Sequence, residues 1–242
     1  MESQYSLTNE EIHDLVEIAS RKYRSPIDLN ILNPLLNMVY GTLMKNNRIL
    51  GIRTDSRFAQ SHVPGEPDLP ICFQRDDEQA ITRFYESLKS QLRADHNRSR
   101  RPGDPTLPSY GWCRERDTSV HPHYHLVLLF NADVYGYLGN YQDPDADNMA
   151  TRIQKAWCSA LGLDYPDYAA LTEFPPNTVY RFSRFDALDR NPVYWNFLVR
   201  LAYLAKTRTK DVHSGYRNFG TSQCVRLGGL ACKLTCFPIK IQ

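Results

Sequence analysis

One segment constrains the fold more than any other: His121-Pro122-His123-Tyr124-His125-Leu126-Val127-Leu128-Leu129-Phe130. Its apolar half reads as a strand anchored in a core. Strand side chains alternate between faces, so His121, His123 and His125 are expected on the same face. Two imidazoles at neighbouring same-face positions can converge on one divalent ion. A carboxylate beside them leaves room for Mg²⁺ or Mn²⁺ when a substrate phosphate completes the shell. Glu115 stands eight residues before His123, on a strand running from Tyr110 to Glu115 ahead of the polar turn Asp117-Thr118-Ser119. In an antiparallel hairpin that separation sets it opposite His123 or His125. The expected ligands are therefore His123, His125 and Glu115, with His121 and Asp55 in reserve. Alone, the pattern is weak. Alternating histidines also occur in cupin-like sites and at surfaces, and Glu115 between Arg114 and Arg116 also reads as an exposed strand charge.

The remaining periodicities build a framework around that hairpin. Residues 8–22 predict a helix with capping-box spacing at Thr8 and Glu11, and Ile12, Leu15, Val16 and Ala19 on one face. Leu29 to Met44 predicts a second, through Leu32, Leu35, Leu36, Val39, Tyr40 and Leu43. Arg48 to Asp55 alternates as a strand, and a loop with Pro64, Pro67 and Pro70 follows. Asp76 and Asp77 offer N-caps to a helix carrying Ile81, Phe84, Tyr85, Leu88 and Leu92. Residues 146–161 predict a helix stopped by Gly162, short strands are expected at 169–173 and 179–183, and a long helix at 192–209. The order predicts an α+β domain with an antiparallel sheet of about five strands flanked by helices. The expected divisions are a helical appendage over 1–46, the main domain over 47–223 and a tail over 224–242.

Composition excludes some classes. The chain has 242 residues, 42% hydrophobic and 23% charged, ordinary values for a globular protein. No apolar run is long enough to span a membrane, and the polar start Met1-Glu2-Ser3-Gln4 does not read as a signal peptide, so a cytoplasmic location is expected. Six cysteines include no CxxC pair and are expected as reduced thiols. Net charge is only +2, but Arg93, Arg98, Arg100 and Arg101 cluster with His96, and Lys206, Arg208, Lys210 and Arg217 form a second basic group. Each group reads as a phosphate-holding patch or as a solvated surface.

A second chemical element is Tyr203-Leu204-Ala205-Lys206. At helical spacing Tyr203 and Lys206 share one face. A phenol ionises near pH ~10 and needs a neighbouring cation to act as a nucleophile at neutral pH; Lys206 is the local one. With 15 tyrosines in the chain, a lone YxxK also reads as a core-edge aromatic beside a snorkelling lysine.

An HxH strand followed about 80 residues later by a helical YxxK resembles the single-tyrosine HUH endonucleases. More closely, the chain resembles phage and prophage proteins of the inovirus-type Gp2 kind, with the YagK/YfjJ C-terminal domain. The likeness is carried by Trp112-Cys113-Arg114-Glu115, His123-Tyr124-His125 with Leu128-Leu129-Phe130-Asn131, Ala156-Trp157-Cys158-Ser159-Ala160-Leu161-Gly162-Leu163, Tyr203-Leu204-Ala205-Lys206 and Arg217-Asn218-Phe219-Gly220. It covers roughly residues 48–223. It implies an HUH-like fold and a rolling-circle replication initiator of a phage, prophage or satellite element. Such an enzyme nicks and rejoins single-stranded origin DNA through a 5′-phosphotyrosine, with Tyr203 and Lys206 catalytic and Mg²⁺ or Mn²⁺ as cofactor. Host helicase, polymerase and single-strand-binding protein are the expected partners, since no phosphate-binding GxxxxGK[ST] loop is present to supply a fused helicase. DNA contacts are expected from Arg53, Arg98, Arg100, Arg101, Lys210, Tyr216, Arg217 and Phe219. A tyrosine C-terminal to the histidines is unlike relaxases, although the triple alternation from His121 is relaxase-like. Three alternatives stay open: a non-catalytic DNA-binding regulator of a mobile element, a single-tyrosine transposase or relaxase relative, and a cupin-like oxygenase.

Overall fold

The computed structural model describes residues 4–59, 74–116, 121–208, 210 and 217–222. The expected Pro-bearing loop around residues 64–70, the turn at 117–119 and the tail at 224–242 lie outside the described residues.

Two helices open the chain. The first, α1 (Asn9–Tyr23), starts at the capping box its sequence spells, with Thr8 and Glu11 each serving the other's backbone N–H. The second, α2 (Leu29–Lys45), is capped by Asp28 and buries Leu32, Leu35, Leu36, Val39 and Leu43. Then come β1 (Arg48–Arg57), α3 (Ala80–Arg98), β2 (Ser109–Glu115), β3 (His123–Asn131) and α4 (Met149–Leu161). A 3₁₀ turn at Ala169–Leu171 leads into β4 (Thr172–Glu173), followed by β5 (Val179–Ser183), α5 (Arg184–Leu188) and α6 (Pro192–Ala202). A second 3₁₀ turn at Tyr203–Ala205 precedes β6 (Phe219–Thr221).

The architecture is α+β, with an open, antiparallel six-stranded sheet and six helices among the described residues. The sheet runs β4-β1-β3-β2-β6, and β5 pairs with the other half of β1's outer edge. The sequence suggests about five strands; the additional one, β6, has only three residues and too short a pattern to read.

Alternation along β3 divides the interior in two. Leu126, Leu128 and Phe130 point into one core with Phe84, Leu88, Ile153 and Trp157 from α3 and α4. Val127 and Leu129 point into the other, with Leu15, Leu32, Leu35, Phe197 and Leu198 from α1, α2 and α6. The N-terminal helices, expected as an appendage, thus bury their apolar stripes in the same core as the sheet. The contact is close: a Cβ on Gly111 of β2 would lie 2.5 Å from Leu35 Cδ2.

Of the strand expected over 169–173 only Thr172–Glu173 is extended, after the 3₁₀ turn at Ala169–Leu171; three further boundaries differ from expectation for local reasons. Asp77 accepts from the Gln79 N–H and shapes a turn before α3 rather than capping the helix, whose own N-cap Gln79 makes no side-chain bond. The helix expected from 146 begins at Met149, because Asn148 accepts from the Thr151 N–H and sets the start there. The expected helix over 192–209 stops at Ala202 and tightens into the 3₁₀ turn, after which Lys206 is extended. No helix among the described residues is long and apolar enough to cross a membrane.

Candidate metal and tyrosine site

The central strand carries the site on its α2–α6 face. Register sets Asp55 of β1 and Cys113 of β2 opposite His125. It sets Arg57 and Glu115 opposite His123. Residues facing one another across antiparallel strands share a face, so Arg53, Asp55, Cys113, Glu115, His123 and His125 gather on one side. The sheet positions the cluster before any side chain turns.

Ligating atoms of Glu115, His123 and His125 all lie within 4.8 Å of one another. His125 Nε2 is 3.1 Å from Glu115 Oε2 and 3.2 Å from His123 Nε2, and His123 Nε2 is 4.0 Å from the same carboxylate oxygen. Ligands at about 2.1 Å in octahedral geometry stand about 3.0 Å apart along an edge, so two of the three separations match edges of a divalent-ion shell. The donor chemistry fits as well. His125 Nδ1 contacts Asp55, and its Nε2 faces Glu115 Oε2 and His123 Nε2 inside the cluster, the position from which it would ligate an ion. Burial and the neighbouring His125 push the His123 pKa down to about 4, against the opposing pull of Glu115, so its imidazole is neutral at physiological pH. Burial disfavours the Glu115 carboxylate, but the His125 hydrogen bond and the Lys210 charge outweigh it and hold its pKa well below the usual range. Asp55 is depressed in the same way, burial being outweighed by His125 and Arg53.

The tyrosine reaches this cluster from the turn that ends α6. Tyr203 lays its ring edge-on to His125, with centroids 5.0 Å apart, and Tyr23 of α1 packs on it at the same separation. Lys206 Nζ donates to Tyr203 Oη at 2.9 Å and lies 3.0 Å from Glu115 Oε2. One ammonium thus joins the phenol to a candidate ligand. Burial works against that ammonium, but the Tyr203 hydrogen bond and the Glu115 charge prevail and raise its pKa; it acts as a fixed cation, not as a base. Lys210 donates to Glu115 Oε1 at 2.9 Å and to the Leu204 carbonyl at 2.7 Å. A carboxylate offers about four lone-pair positions, so the two lysines leave room for an ion on Oε2. The turn is tied down by Asp28, whose N–H donates to the Ala205 carbonyl at 2.8 Å.

Several expected residues fall elsewhere. His121 precedes β3 and lies on the other side, 3.5 Å from Asp76 and with its ring 5.7 Å from Phe58. Pro122, which has no N–H for the ladder, separates it from the strand, so the alternation does not extend back to it. Asp55 holds His125 and is outside the ligand triad. Arg53 is only 2% exposed and bonds Asp55, the Thr54 carbonyl and His125, so it organises the site rather than gripping a polymer. Lys210 is likewise buried on Glu115.

Arg98 and Arg101 share Asp95 with Arg152 at the far end of α3, on the opposite layer, and Arg98 also faces Asp147. Arg100 is exposed there in a left-handed conformation. Asp95 and Asp147 offset part of this cluster's positive charge, and from the opposite layer it does not extend the site. Arg217 is exposed, and Phe219 pairs with Cys113 at the β2 edge. Tyr216 lies outside the described residues.

Sequence reasoning misses Tyr23, Cys113 and Arg57. Arg57 had a readable signal: Arg53, Asp55 and Arg57 alternate along β1 just as the histidines do along β3. Cys113 lies 3.7 Å from Glu115 Oε1, and burial pushes its thiol up to about 11, so it contributes no thiolate.

The chain belongs to the YagK/YfjJ C-terminal domain family, whose model matches residues 8–222. That span takes in the N-terminal helices as well as the sheet. It is 38% identical over 161 residues to the uncharacterized protein YfjJ of Escherichia coli (strain K12), covering 64% of this chain and 76% of that protein. It is 36% identical over 179 residues to the uncharacterized protein YagK of the same strain, covering 73% and 84%. No solved structure matches it.

Proposed function

We propose that this protein is a metal-dependent endonuclease of the HUH class that nicks and rejoins single-stranded DNA, initiating rolling-circle replication of a phage, prophage or satellite element. The observation that carries the reading is the shared ammonium: Lys206 contacts both the Tyr203 hydroxyl and the Glu115 carboxylate beside two converging imidazoles. A nucleophile, its activating cation and a cation-binding triad therefore meet on one sheet face. A cupin-like oxygenase has no use for that phenol.

The residues divide the work of phosphoryl transfer. His123, His125 and Glu115 would hold a divalent ion, which when bound offsets charge on the non-bridging oxygens of the scissile phosphate. Arg53 and Asp55 both contact His125 Nδ1 and hold the ring in place. Lys206 favours the phenolate of Tyr203, whose proton leaves to solvent. The phenolate oxygen attacks phosphorus in line, the new P–O bond replaces the bond to the 3′-oxygen, and that oxygen leaves as a hydroxyl after taking a proton. The 5′-phosphotyrosyl link remains a phosphodiester, so attack by a 3′-hydroxyl reverses it without an external energy source. Three cations (Arg53, Lys206 and Lys210) face two carboxylates (Asp55 and Glu115), a balance that favours a polyanion. Arg57, 62% exposed on the same face, suits a backbone phosphate. Helicase, polymerase and single-strand-binding protein would be supplied by the host.

The test is incubation with single-stranded DNA from the protein's own genomic neighbourhood in Mn²⁺ or Mg²⁺, read by intact-protein mass spectrometry. A nucleotide adduct on Tyr203 is expected, absent after chelation and absent in Tyr203→Phe while DNA binding persists. An adduct that survives in Tyr203→Phe removes the nucleophile assignment. Tight origin binding without cleavage under any metal points to a non-catalytic regulator.

A further inference from the structure

Beyond the β4 edge of the sheet, away from the triad, lies a cavity of about 500 Å³, within the range of small-ligand sites. Its walls include Tyr141, Gln154, Tyr165, Thr172 and Phe174. Gln154 and Thr172 are each 4% exposed, yet Gln154 Oε1 and Thr172 Oγ1 have no hydrogen-bond partner among the described residues. Buried polar atoms of that kind are rarely left unsatisfied and call for an explanation. The Gln154 amide is oriented: its Nε2 donates to the Tyr141 carbonyl at 3.2 Å, so Oε1 is the free acceptor. Around these two polar points the surfaces are aromatic. Tyr141 and Phe174 stand 5.2 Å apart and 33° from coplanar, and Tyr165 adds a third ring. The charged lining groups are Asp167 and Glu173, which repel phosphate.

We propose that this cavity receives one nucleobase, turned out of the single strand that the neighbouring site acts on. The inference rests on the nicking reading for its substrate, and it adds a point of sequence recognition to it. An amino-bearing base (adenine, cytosine or guanine) supplies the N–H donor that Gln154 Oε1 lacks and a ring nitrogen for the Thr172 hydroxyl. The aromatic walls supply stacking, which every base offers. Inside the cavity the described lining offers rings and two neutral polar atoms and no cation for a phosphate, which suits the base rather than the backbone. Glu173, which lines the cavity, pairs with Arg57 at 2.9 Å, and Arg57 stands opposite His123 in the β1–β3 register. A chain whose phosphate rests on Arg57 can therefore place a neighbouring base beyond the β4 edge.

The experiment uses the full chain carrying Tyr203→Phe, so that strands are bound and not cut. Single-stranded origin oligonucleotides are made abasic at one position at a time, and affinity is read by fluorescence anisotropy. One position is expected to lose about tenfold, and changing its amino-bearing base to thymine, which has no exocyclic amino group, is expected to lose several-fold. In Gln154→Leu, paired with Thr172→Val as a second variant, that position's sensitivity disappears while sensitivity elsewhere is unchanged. Gln154→Leu removes an unsatisfied buried acceptor, so the thermal midpoint serves as the folding control. A loss spread evenly over all positions, or one that the Gln154 and Thr172 variants leave intact, overturns the base pocket while the nicking reading stands. Failure to bind any single strand overturns both.

Discussion

The two faces of β3 obey different rules. On the α3–α4 side, Tyr124, Leu126, Leu128 and Phe130 meet Phe84 and Trp157 in a dry aromatic core. Trp157 turns its indole N–H to the Arg57 carbonyl, donating to it at 2.7 Å. On the α2–α6 side, Val127 and Leu129 begin a similar core, but the next two same-face positions are His125 and His123, amid Arg53, Asp55, Glu115, Lys206 and Lys210. Both environments are largely buried, and they use burial oppositely. The first converts burial into stability. The second uses burial to strengthen charge interactions and to set protonation states, which gains little net stability. A single strand can carry both because alternate side chains never share a face.

Substitutions on the dry face should act through stability alone. Trp157→Ala is expected to cost about 3–5 kcal/mol in urea unfolding, with adduct formation per folded molecule unchanged. A loss of specific adduct yield without a stability loss would erase the distinction between the faces. Glu115→Gln crosses the comparison, because it leaves Lys206 and Lys210 buried without their counter-charge. We expect about 3 kcal/mol of destabilisation in metal-free protein, together with loss of Mn²⁺ binding by calorimetry. Adding Lys210→Met to that variant should return part of the stability and none of the metal binding. Equal recovery of both would mean that Glu115 matters for folding and not for ions.

Much of the charged face was readable in the chain, because its logic is periodic. His123 and His125 at two-residue spacing and Glu115 on the neighbouring strand need only strand geometry to converge. The i, i+3 relation of Tyr203 and Lys206 survives the change from α-helix to 3₁₀ turn, since both bring such residues together. What resists reading is pairing at long range. Lys210 meets Glu115 across 95 residues and Arg53 meets His125 across 72; both read as exposed basic residues, because nothing local marks a lysine or arginine for burial. The N-terminal helices read as a separate piece for the same reason. Their apolar stripes show that they must be covered, and only the tertiary structure shows that α6 and the sheet cover them. His121 misleads in the other direction: the spacing is right, but Pro122 breaks the strand on which the spacing depends.

The protonation states give the charged face an acid limit that the dry face lacks. His123 has its folded pKa lowered to about 4 from an ordinary 6.5. Between those values the unfolded chain binds a proton that the folded chain refuses, so stability falls as pH drops from 6.5 towards 4. Glu115 and Asp55, whose folded pKa values are also depressed, act with the same sign. Their contribution is present above the ordinary carboxylate range and is lost on further acidification. In chelator-treated protein the His123 part is expected to be on the order of 2 kcal/mol. His123→Gln should flatten the profile between pH 6.5 and 4, whereas Trp157→Ala should shift it down without changing its slope. A wild-type profile that is flat there would contradict a neutral, half-buried His123.

The smallest effect discriminates most finely, because stability hardly enters it. Lys206 places one positive charge 3.0 Å from the oxygen that a divalent ion would share, and its hydrogen bond to Tyr203 Oη keeps it there. Two cations on one carboxylate repel, so Lys206→Met, which keeps the aliphatic stem and removes the charge, should tighten Mn²⁺ binding by about tenfold, a Coulomb effect reduced by the surrounding charges. The same change removes the cation that favours the phenolate, so adduct formation should fall even with the metal site saturated. Tighter metal and slower chemistry in one variant is a combination that a merely structural lysine does not produce. If metal affinity weakens along with activity, Lys206 supports the fold of the ligand set, and the charge balance on this face has been drawn with the wrong sign.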